Sequence, residues 1–349
     1  MRALLFDSKS ILMLYFSYVK RLALTLHIGR WRGRFYTNMT QVEEELAQFT
    51  PAKETVLTIG IFDGVHLGHK ALLAKLKEQA HQLNTLSGVV TFRYHPDELM
   101  SSQKSLPYLT SLHQRITLLK AEGIDFVVTL TFNPELASLE AKEFAGLLTK
   151  HLKMRGLVVG PDFALGKGRQ GDINYLRKLG RGMGFSVTTV PPVTVNNEIV
   201  SSTAIRKALA EGDMKRVCNL TGHYFSFTGT VVKGEERGRK LGFPTANLDV
   251  HPRQALPPFG IYATLAHIDD KTYHSVTSIG IRPTFTEGRR TIEVYILDFG
   301  EDIYGKELKV NFIEKLRDEK RFNSMEDLAK QITEDVKQGK AILNSLGKK

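Results

Sequence analysis

GIFDGVHLGHK, residues 60–70, breaks off an apolar run in glycines, an acid and the two histidines His66 and His69. A buried strand has no use for such an ending, and its neighbours say what it joins. TVLTIGIF (55–62) is a β-branched apolar run with the look of a buried strand. HKALLAKLKEQAHQL (69–83) places its apolar residues three and four apart, as a helix does. The stretch is therefore a strand-to-helix turn. Gly64 and Gly68 let the backbone approach a ligand without Cβ obstruction, and the start of a helix offers free N–H groups and a positive dipole end to an anion. His66 and His69, three apart, can point at that anion and share positive charge with a phosphate. This arrangement suits charge developing during attack on an α-phosphate. Two other readings stand beside it. A His pair can hold a metal, although no third ligand lies nearby, or the histidines can simply cap the helix.

The same rhythm runs outward to about Leu220. SGVVTF, DFVVTLTF, GLVVG and SVTTV read as further buried strands. SLHQRITLLKAEG, LEAKEFAGLLTKHL and NYLRKLGRGMG read as helices between them, the first stopped by Gly123. Alternation of this kind predicts a parallel sheet covered on both faces, with ligands at the carboxyl ends of the strands. Beyond Leu220 the helices vanish. FSFTGTVVKG, GIYATLAHI, TYHSVTSIG, TIEVYILDF and LKVNFIEKL succeed one another across short polar links, as in an antiparallel sheet or barrel. A single helix closes the chain from Ser324, where S-M-E-D can form a capping box. The expected domains are 39–219 and 220–349, meeting near 217–224.

With 349 residues, 42% hydrophobic and 24% charged, the chain can bury two cores. One cysteine, Cys218, excludes an internal disulfide framework and fits a cytoplasmic protein. Of the net charge of +11, residues 1–38 supply six: seven cations stand there against Asp7 alone. The remainder forms no basic stripe interleaved with aromatics, so small anionic ligands are expected and nucleic acid is not. ILMLYFSYV (11–19) is too short to span a bilayer, and no membrane partner is expected. This basic extension lacks a small-residue cleavage site. A signal core, an organellar transit segment and an upstream start codon are the alternatives, and the last is favoured because Met39 opens a regular sequence, so a chain starting there should be fully active.

Three further motifs stand out. GKGRQG (166–171) formally matches a dinucleotide fingerprint but begins too far past its strand. It also lacks Ser or Thr after Lys167, so a mobile lid bringing Lys167 and Arg169 to phosphates is the better reading. SSTAIR (201–206) begins a helix with hydroxyls at the cap, and Arg206, read as lying in its first turn against the dipole, points to a ligand phosphate. In GRKLGFPTANLDV (238–250), Gly238 and Gly242 free the backbone and Pro244 fixes φ. Thr245 and Asn247 then present oxygens suited to Mg²⁺ and bridging phosphates. Glu293, grouped by alternation with Tyr295 and Leu297, is expected to look into the barrel as a general base for a hydroxyl attacking a γ-phosphate.

GIFDGVHLGH resembles the HxGH signature of the nucleotidylyltransferase superfamily. Together with TFRYHP, FALGKGRQGD, SSTAIR, GRKLGFPTANL, PPFGIYA, SIGIRPTF, EVYILDF and LRDEKRF, in this order, the chain from about Met39 resembles the bacterial bifunctional riboflavin kinase/FAD synthetases. The resemblance implies a Rossmann-like parallel α/β nucleotidylyltransferase domain, then an antiparallel β-barrel kinase domain with a terminal helix. It implies that riboflavin becomes FMN and FMN becomes FAD, with ATP as co-substrate, pyrophosphate released in the second step, and Mg²⁺ required. It implies catalytic roles for Glu293, His66, His69 and Arg206. Nucleotide contacts are implied for Gly60, Phe62, Asp63, Gly64, Gly68, Asp162, Ser201, Ser202, Thr203, Gly238, Gly242, Pro244 and Asn247. Flavin contacts are implied for His95, Pro96, Arg317 and Phe322, and metal contacts for Thr245 and Asn247. Arg93–Tyr94 before His95, and Asp162 where some relatives have Asn, depart from the family pattern. A different nucleotidylyltransferase and a non-catalytic flavin-binding regulator are the rival readings; self-association stays open.

Overall fold

In the computed structural model the described residues are 39–94, 106–234, 238, 241–281 and 290–346. The basic extension and the expected flavin contacts His95 and Pro96 lie outside them.

The first half begins with α1 (Gln41–Ala47), capped by Thr40, and then alternates strand and helix: β1 (Thr55–Ile59), α2 (Leu67–Gln82), β2 (Leu86–Phe92), α3 (Leu112–Ala121), β3 (Phe126–Leu130), α4 (Pro134–Ser138), α5 (Ala141–Leu152), β4 (Met154–Val159), α6 (Ile173–Met183) and β5 (Ser186–Thr189). The strands form one parallel sheet in the order β3-β2-β1-β4-β5. Neighbouring residues of one strand serve opposite faces, as the period of two requires. Val56 and Val158 pack with Leu73, Leu76 and Leu119 of α2 and α3. Leu57 and Leu157 pack with Leu46, Phe144, Leu148 and Leu176 of α1, α5 and α6. The strand order reverses between β1 and β4, and ligands settle at such a point in open α/β sheets.

A short hairpin, β6 (Thr194–Val195) and β7 (Glu198–Ile199), leads to α7 (Ser202–Glu211) and α8 (Met214–Thr221). The expected boundary at 219/220 falls inside α8, whose stop is Gly222 in the left-handed region at φ 70°. Both helices pack into the core of the second half. Ile205, Leu209, Val217 and Leu220 share a cluster with Phe227, Tyr262 and Phe312.

That second half is a closed six-stranded barrel of β8 (Phe225–Val232), β9 (Ala246–Asp249), β10 (Gly260–Ile268), β11 (Lys271–Ile281), β12 (Arg290–Ile296) and β13 (Glu307–Arg317), ordered β10-β11-β12-β9-β8-β13. Its pairings are antiparallel. Closure removes the free strand edges that an open sheet would expose. The last helix, α9 (Met325–Leu346), begins where Ser324 accepts from the Asp327 amide at 3.1 Å, and it lays Leu343 against Ala263 and Ile313 on the outside of the barrel.

Candidate active sites

The first site forms where β1 runs out. Phe62, Gly64 and Val65 all take positive φ (54°, 82° and 35°), so the chain turns sharply before α2. The turn is held from several sides. Gly64 N–H donates to Thr110 Oγ1 at 3.0 Å, and Ser202 donates to the Asp63 carbonyl at 2.9 Å. The His223 ring sits 3.1 Å from the Gly64 carbonyl. The buried Asp63 carboxylate accepts from the Leu109 and Thr110 amides at 3.0 and 2.9 Å and from the Thr110 hydroxyl, and it is ion-paired with Arg206. Asp63 thus spends its oxygens inside the protein, organising the turn.

The histidines bear out the simpler alternative in part. His66 is the N-cap of α2, its Nδ1 accepting from the His69 amide at 3.2 Å, and the two rings stack with centroids 3.6 Å apart. Burial lowers the His66 pKa to about 4 although Asp63 pulls it up. Burial also lowers His69 well below the ordinary range, with His66 and Arg115 adding to it. Without a ligand both rings are therefore neutral, and a bound phosphate would raise both. His69 is only partly buried, and its Nδ1 is buried without a partner.

Gly68 also has a local reason to lack a side chain. A Cβ there would lie 3.1 Å from the His66 imidazole and 3.5 Å from the Val200 carbonyl, so it is the site's own ring that occupies the space. At Gly60 a Cβ would meet the Phe62 ring at 3.1 Å. That ring is buried, 5.0 Å from the His69 ring, and backs the histidines from the core.

Arg206 is the fifth residue of α7, not part of its first turn, because Ser201 caps the helix through the Ala204 amide at 3.2 Å. Its Nε donates to the Pro107 carbonyl at 2.9 Å. Thr203 is exposed beside that cap. The expected lid, too, is tied down at its base. Leu165 and Gly171 exchange backbone hydrogen bonds at 3.0 and 2.9 Å, Lys167 N–H donates to Leu139, and Gly166 and Gly171 lie so close to Ala141 that a Cβ would collide with it. Only the tip, with Lys167 and Arg169, stands exposed; Arg169 donates to the carbonyl of the exposed Asp162 at 2.7 Å.

The second site lies on the barrel, but not inside it. On β12 the residues turned into the core are Ile292, Val294 and Ile296, so Glu293 and Tyr295 face outward, and Leu297 comes after the strand as a buried residue. The expectation that Glu293 looks into the barrel is wrong because the larger apolar set claims the interior. Glu293 instead faces a cavity of about 390 Å³ between the barrel wall and α9. Asn247, which pairs with it across β9, Ser278, which pairs with it across β11, and Gly238, Thr245, Tyr295, Arg317 and Phe322 help to line that cavity. Thr245 donates to the Glu293 carboxylate at 3.3 Å. The turn carrying Thr245 closes through Leu241 and Phe243 amides donating to the Gly238 carbonyl, with Gly242 at φ 85°. Gly234 leaves room for the Asn247 amide, which a Cβ would overlap. A second cavity, of about 340 Å³, opens at the barrel end and is lined by Pro244, Ala246, Val294, Phe299 and, again, Thr245.

Arg317 touches the first of these cavities, but its guanidinium is spent on the buried Asp335 of α9, with bonds of 2.8 and 2.7 Å. It also stands 5.8 Å over the Phe322 ring. Among the described residues no group of three or more His, Cys, Asp or Glu could cage a metal. Thr245, Asn247 and Glu293 still present the hard oxygens that Mg²⁺ prefers, and Mg²⁺ normally keeps waters and substrate phosphates as its other ligands. Sequence reasoning passed over Arg115, buried on α3. Its spacing from Leu112 and Leu119, three and four along, was the available signal.

Comparison with known proteins finds a family for each half of the chain. The family model of FAD synthetase matches residues 49–204, and that of riboflavin kinase matches residues 221–343. The chain is 40% identical over 287 residues to the bifunctional riboflavin kinase/FMN adenylyltransferase of Escherichia coli strain K12, covering 82% of this chain and 91% of that one. It is 39% identical to the protein of the same name from Pseudomonas fluorescens, covering 82% and 92%. A crystal structure from Streptococcus pneumoniae, named a macrolide-efflux protein, is 30% identical and superposes with a TM-score of 0.78 over 85% of this chain and 96% of that one. Among the described residues no helix is long and apolar enough to cross a membrane.

Proposed function

Because the chain belongs to the family of bifunctional riboflavin kinase/FMN adenylyltransferases, we propose a division of labour between its two sites. The barrel domain phosphorylates riboflavin with ATP to give FMN and ADP. The α/β domain joins FMN to the adenylyl group of a second ATP, giving FAD and pyrophosphate.

The observation that carries the kinase assignment is the place of Thr245. It belongs to both barrel cavities and lies 3.3 Å from Glu293. In this reading riboflavin occupies the cavity under α9, and ATP enters from the barrel end past Pro244. Glu293 takes the proton of the terminal ribityl hydroxyl as its oxygen bonds to the γ-phosphorus and the bond to ADP breaks. Thr245 and Asn247 would hold Mg²⁺, which neutralises phosphate charge when bound. Phe322 forms a wall at the mouth of the flavin cavity.

Adenylyl transfer needs no protein nucleophile, since the FMN phosphate itself attacks the α-phosphorus and pyrophosphate leaves. The protein aligns the two phosphates and offsets their charge. The α2 N-terminus with His66 and His69 serves the ATP phosphates, and Arg206, oriented by Asp63, serves the reacting pair. Ser201 to Thr203 and the exposed tip of the 165–171 loop, with Asp162 beside it, form the rim. The domains assigned to the two reactions are 39–219 and 220–349, and the cytoplasm is their place of action. Incubation with riboflavin, ATP and Mg²⁺, followed by chromatography of the flavins, should show FMN rising before FAD. Riboflavin left unchanged, with added FMN also unchanged, would overturn the assignment.

A further inference from the structure

The connection between β9 and β10 does not stay with the barrel. Tyr108, which belongs to the α/β domain, donates its N–H to the Arg253 carbonyl at 3.0 Å and accepts from the Ala255 amide at 2.9 Å. The nearly buried Gln254 amide donates to the Leu109 carbonyl at 3.3 Å, and the Tyr108 hydroxyl is hydrogen-bonded to the His251 ring. Leu109 and Thr110 are the residues whose amides Asp63 holds. A segment of the kinase domain is therefore stitched onto the strand-end loop of the other enzyme.

Between the two lies a cavity of about 260 Å³ lined by Asp63, Arg93, Arg115, Arg206, His251 and Arg253. Arginines outnumber the one carboxylate, Asp63, in its lining. Asp63 is matched by Arg206, and Arg93 reaches Glu45 only at 3.9 Å. Arg115 is 5% exposed; its Nη1 donates to the Ile61 and Phe92 carbonyls and to Thr91, while its buried Nε has no hydrogen-bond partner. No carboxylate of the described residues pairs with it at ion-pair distance. Burying a cation this way costs several kcal/mol unless an anion offsets it, and guanidinium groups match phosphate oxygens. The volume falls below the roughly 300–1,000 Å³ of pockets that swallow a whole ligand, so it suits the phosphorylated end of one.

We infer that the barrel domain completes the acceptor pocket of the α/β domain: His251 and Arg253 close a cationic cavity, opposite Arg115 and Arg206, that takes the phosphate monoester of the flavin. This rests on the reading of the α/β domain as an FMN adenylyltransferase. It makes the kinase domain a working part of the second reaction.

The test uses the full chain, with Arg253→Ala and Arg253→Lys assayed for adenylyl transfer at varied FMN and varied ATP, and for riboflavin phosphorylation. Arg253→Ala should raise the KM for FMN by about tenfold or more, the loss of a charge-assisted contact, with the KM for ATP and the kinase rate within about twofold of wild type. Arg253→Lys, which keeps the charge and loses the fork, should recover part of the affinity. His251→Ala, which leaves the Tyr108 backbone bonds to Arg253 and Ala255 in place and removes only the ring that accepts from the Arg253 amide, serves as the second variant and should raise the KM for FMN by a smaller factor. An unchanged KM for FMN overturns the inference, whether or not kcat falls. So does a rise in the KM for ATP instead, since the phosphates bound there would then be those of the nucleotide. If the wild-type chain makes FMN but never FAD, the assignment of the α/β domain fails first and takes this inference with it.

Discussion

Thr245 and Glu293, neighbours on the barrel's outer wall, are joined by a hydrogen bond of 3.3 Å, and among the described residues Thr245 alone lines both the cavity facing Glu293 and the cavity at the barrel end. Glu293→Gln keeps the size and the acceptor oxygen but removes the base. Riboflavin phosphorylation should fall by about a hundredfold or more, while adenylylation of supplied FMN stays at the wild-type rate. Separate assays with riboflavin and with FMN check this, and loss of both activities would show that the sites are not independent.

His69→Ala should do the reverse, letting FMN accumulate from riboflavin while FAD formation drops by about a hundredfold or more. The half-buried ring lies against His66 at 3.6 Å and against Phe62 at 5.0 Å, so part of the loss is of packing. Time courses of riboflavin, FMN and FAD in one reaction distinguish this variant from Glu293→Gln by which flavin stops.

His66 gives the fold a pH dependence. Its pKa, about 4 in the folded chain against 6.5 in the unfolded one, means that the unfolded state binds more protons between those values. Stability is therefore full above pH 6.5 and declines as pH falls toward 4, by on the order of 2–3 kcal/mol from this group. His66→Asn retains a side-chain oxygen to cap α2 and removes the titration. Urea unfolding of wild type and variant across pH 4–7 should converge toward acid pH, and parallel curves would refute the assignment.

The turn at residues 60–70 revealed the parallel sheet and its ligand end because a strand signal passes there directly into a helix signal. The second domain was legible from the absence of helices between apolar runs. The side to which Glu293 points was not, since an alternating strand has two faces and only the barrel core shows that Ile292, Val294 and Ile296 own the interior. Asp63 and Arg206 are 143 residues apart, and nothing local announces that they pair. Arg115 was hidden by its own exception, a charged residue seated on the apolar stripe of α3 where a leucine is the ordinary occupant.

Gly68→Ala tests how tightly the His66 ring is held. The added methyl would stand 3.1 Å from the ring, and Val200 leaves it little retreat on the other side. The imidazole must shift by a few tenths of an ångström, which is enough to cost about tenfold in a reaction governed by alignment. FAD formation should fall by that factor while riboflavin phosphorylation is untouched. An unchanged rate of FAD formation would mean that the ring position is not part of catalysis.

Asp335 anchors the helix that roofs the cavity facing Glu293, since its carboxylate holds Arg317 through two bonds and accepts from Gln331 at 2.9 Å. The Arg317 side chain is 19% exposed and that of Asp335 only 4%, so removing the acid alone strands a largely buried cation. Asp335→Leu should lower the stability of the barrel by about 3–5 kcal/mol, and the pair Arg317→Met with Asp335→Leu should lose less than that single change. Both should raise the KM for riboflavin, because α9 forms one wall of the cavity facing Glu293. Neither should move the KM for FMN in adenylyl transfer, since the cavity proposed for its phosphate has no described residue of α9 in its lining. Urea titrations for the first comparison, and paired kinase and adenylyltransferase kinetics for the second, decide it; a double variant less stable than the single one would show that the salt bridge stabilises the barrel beyond what apolar packing can replace.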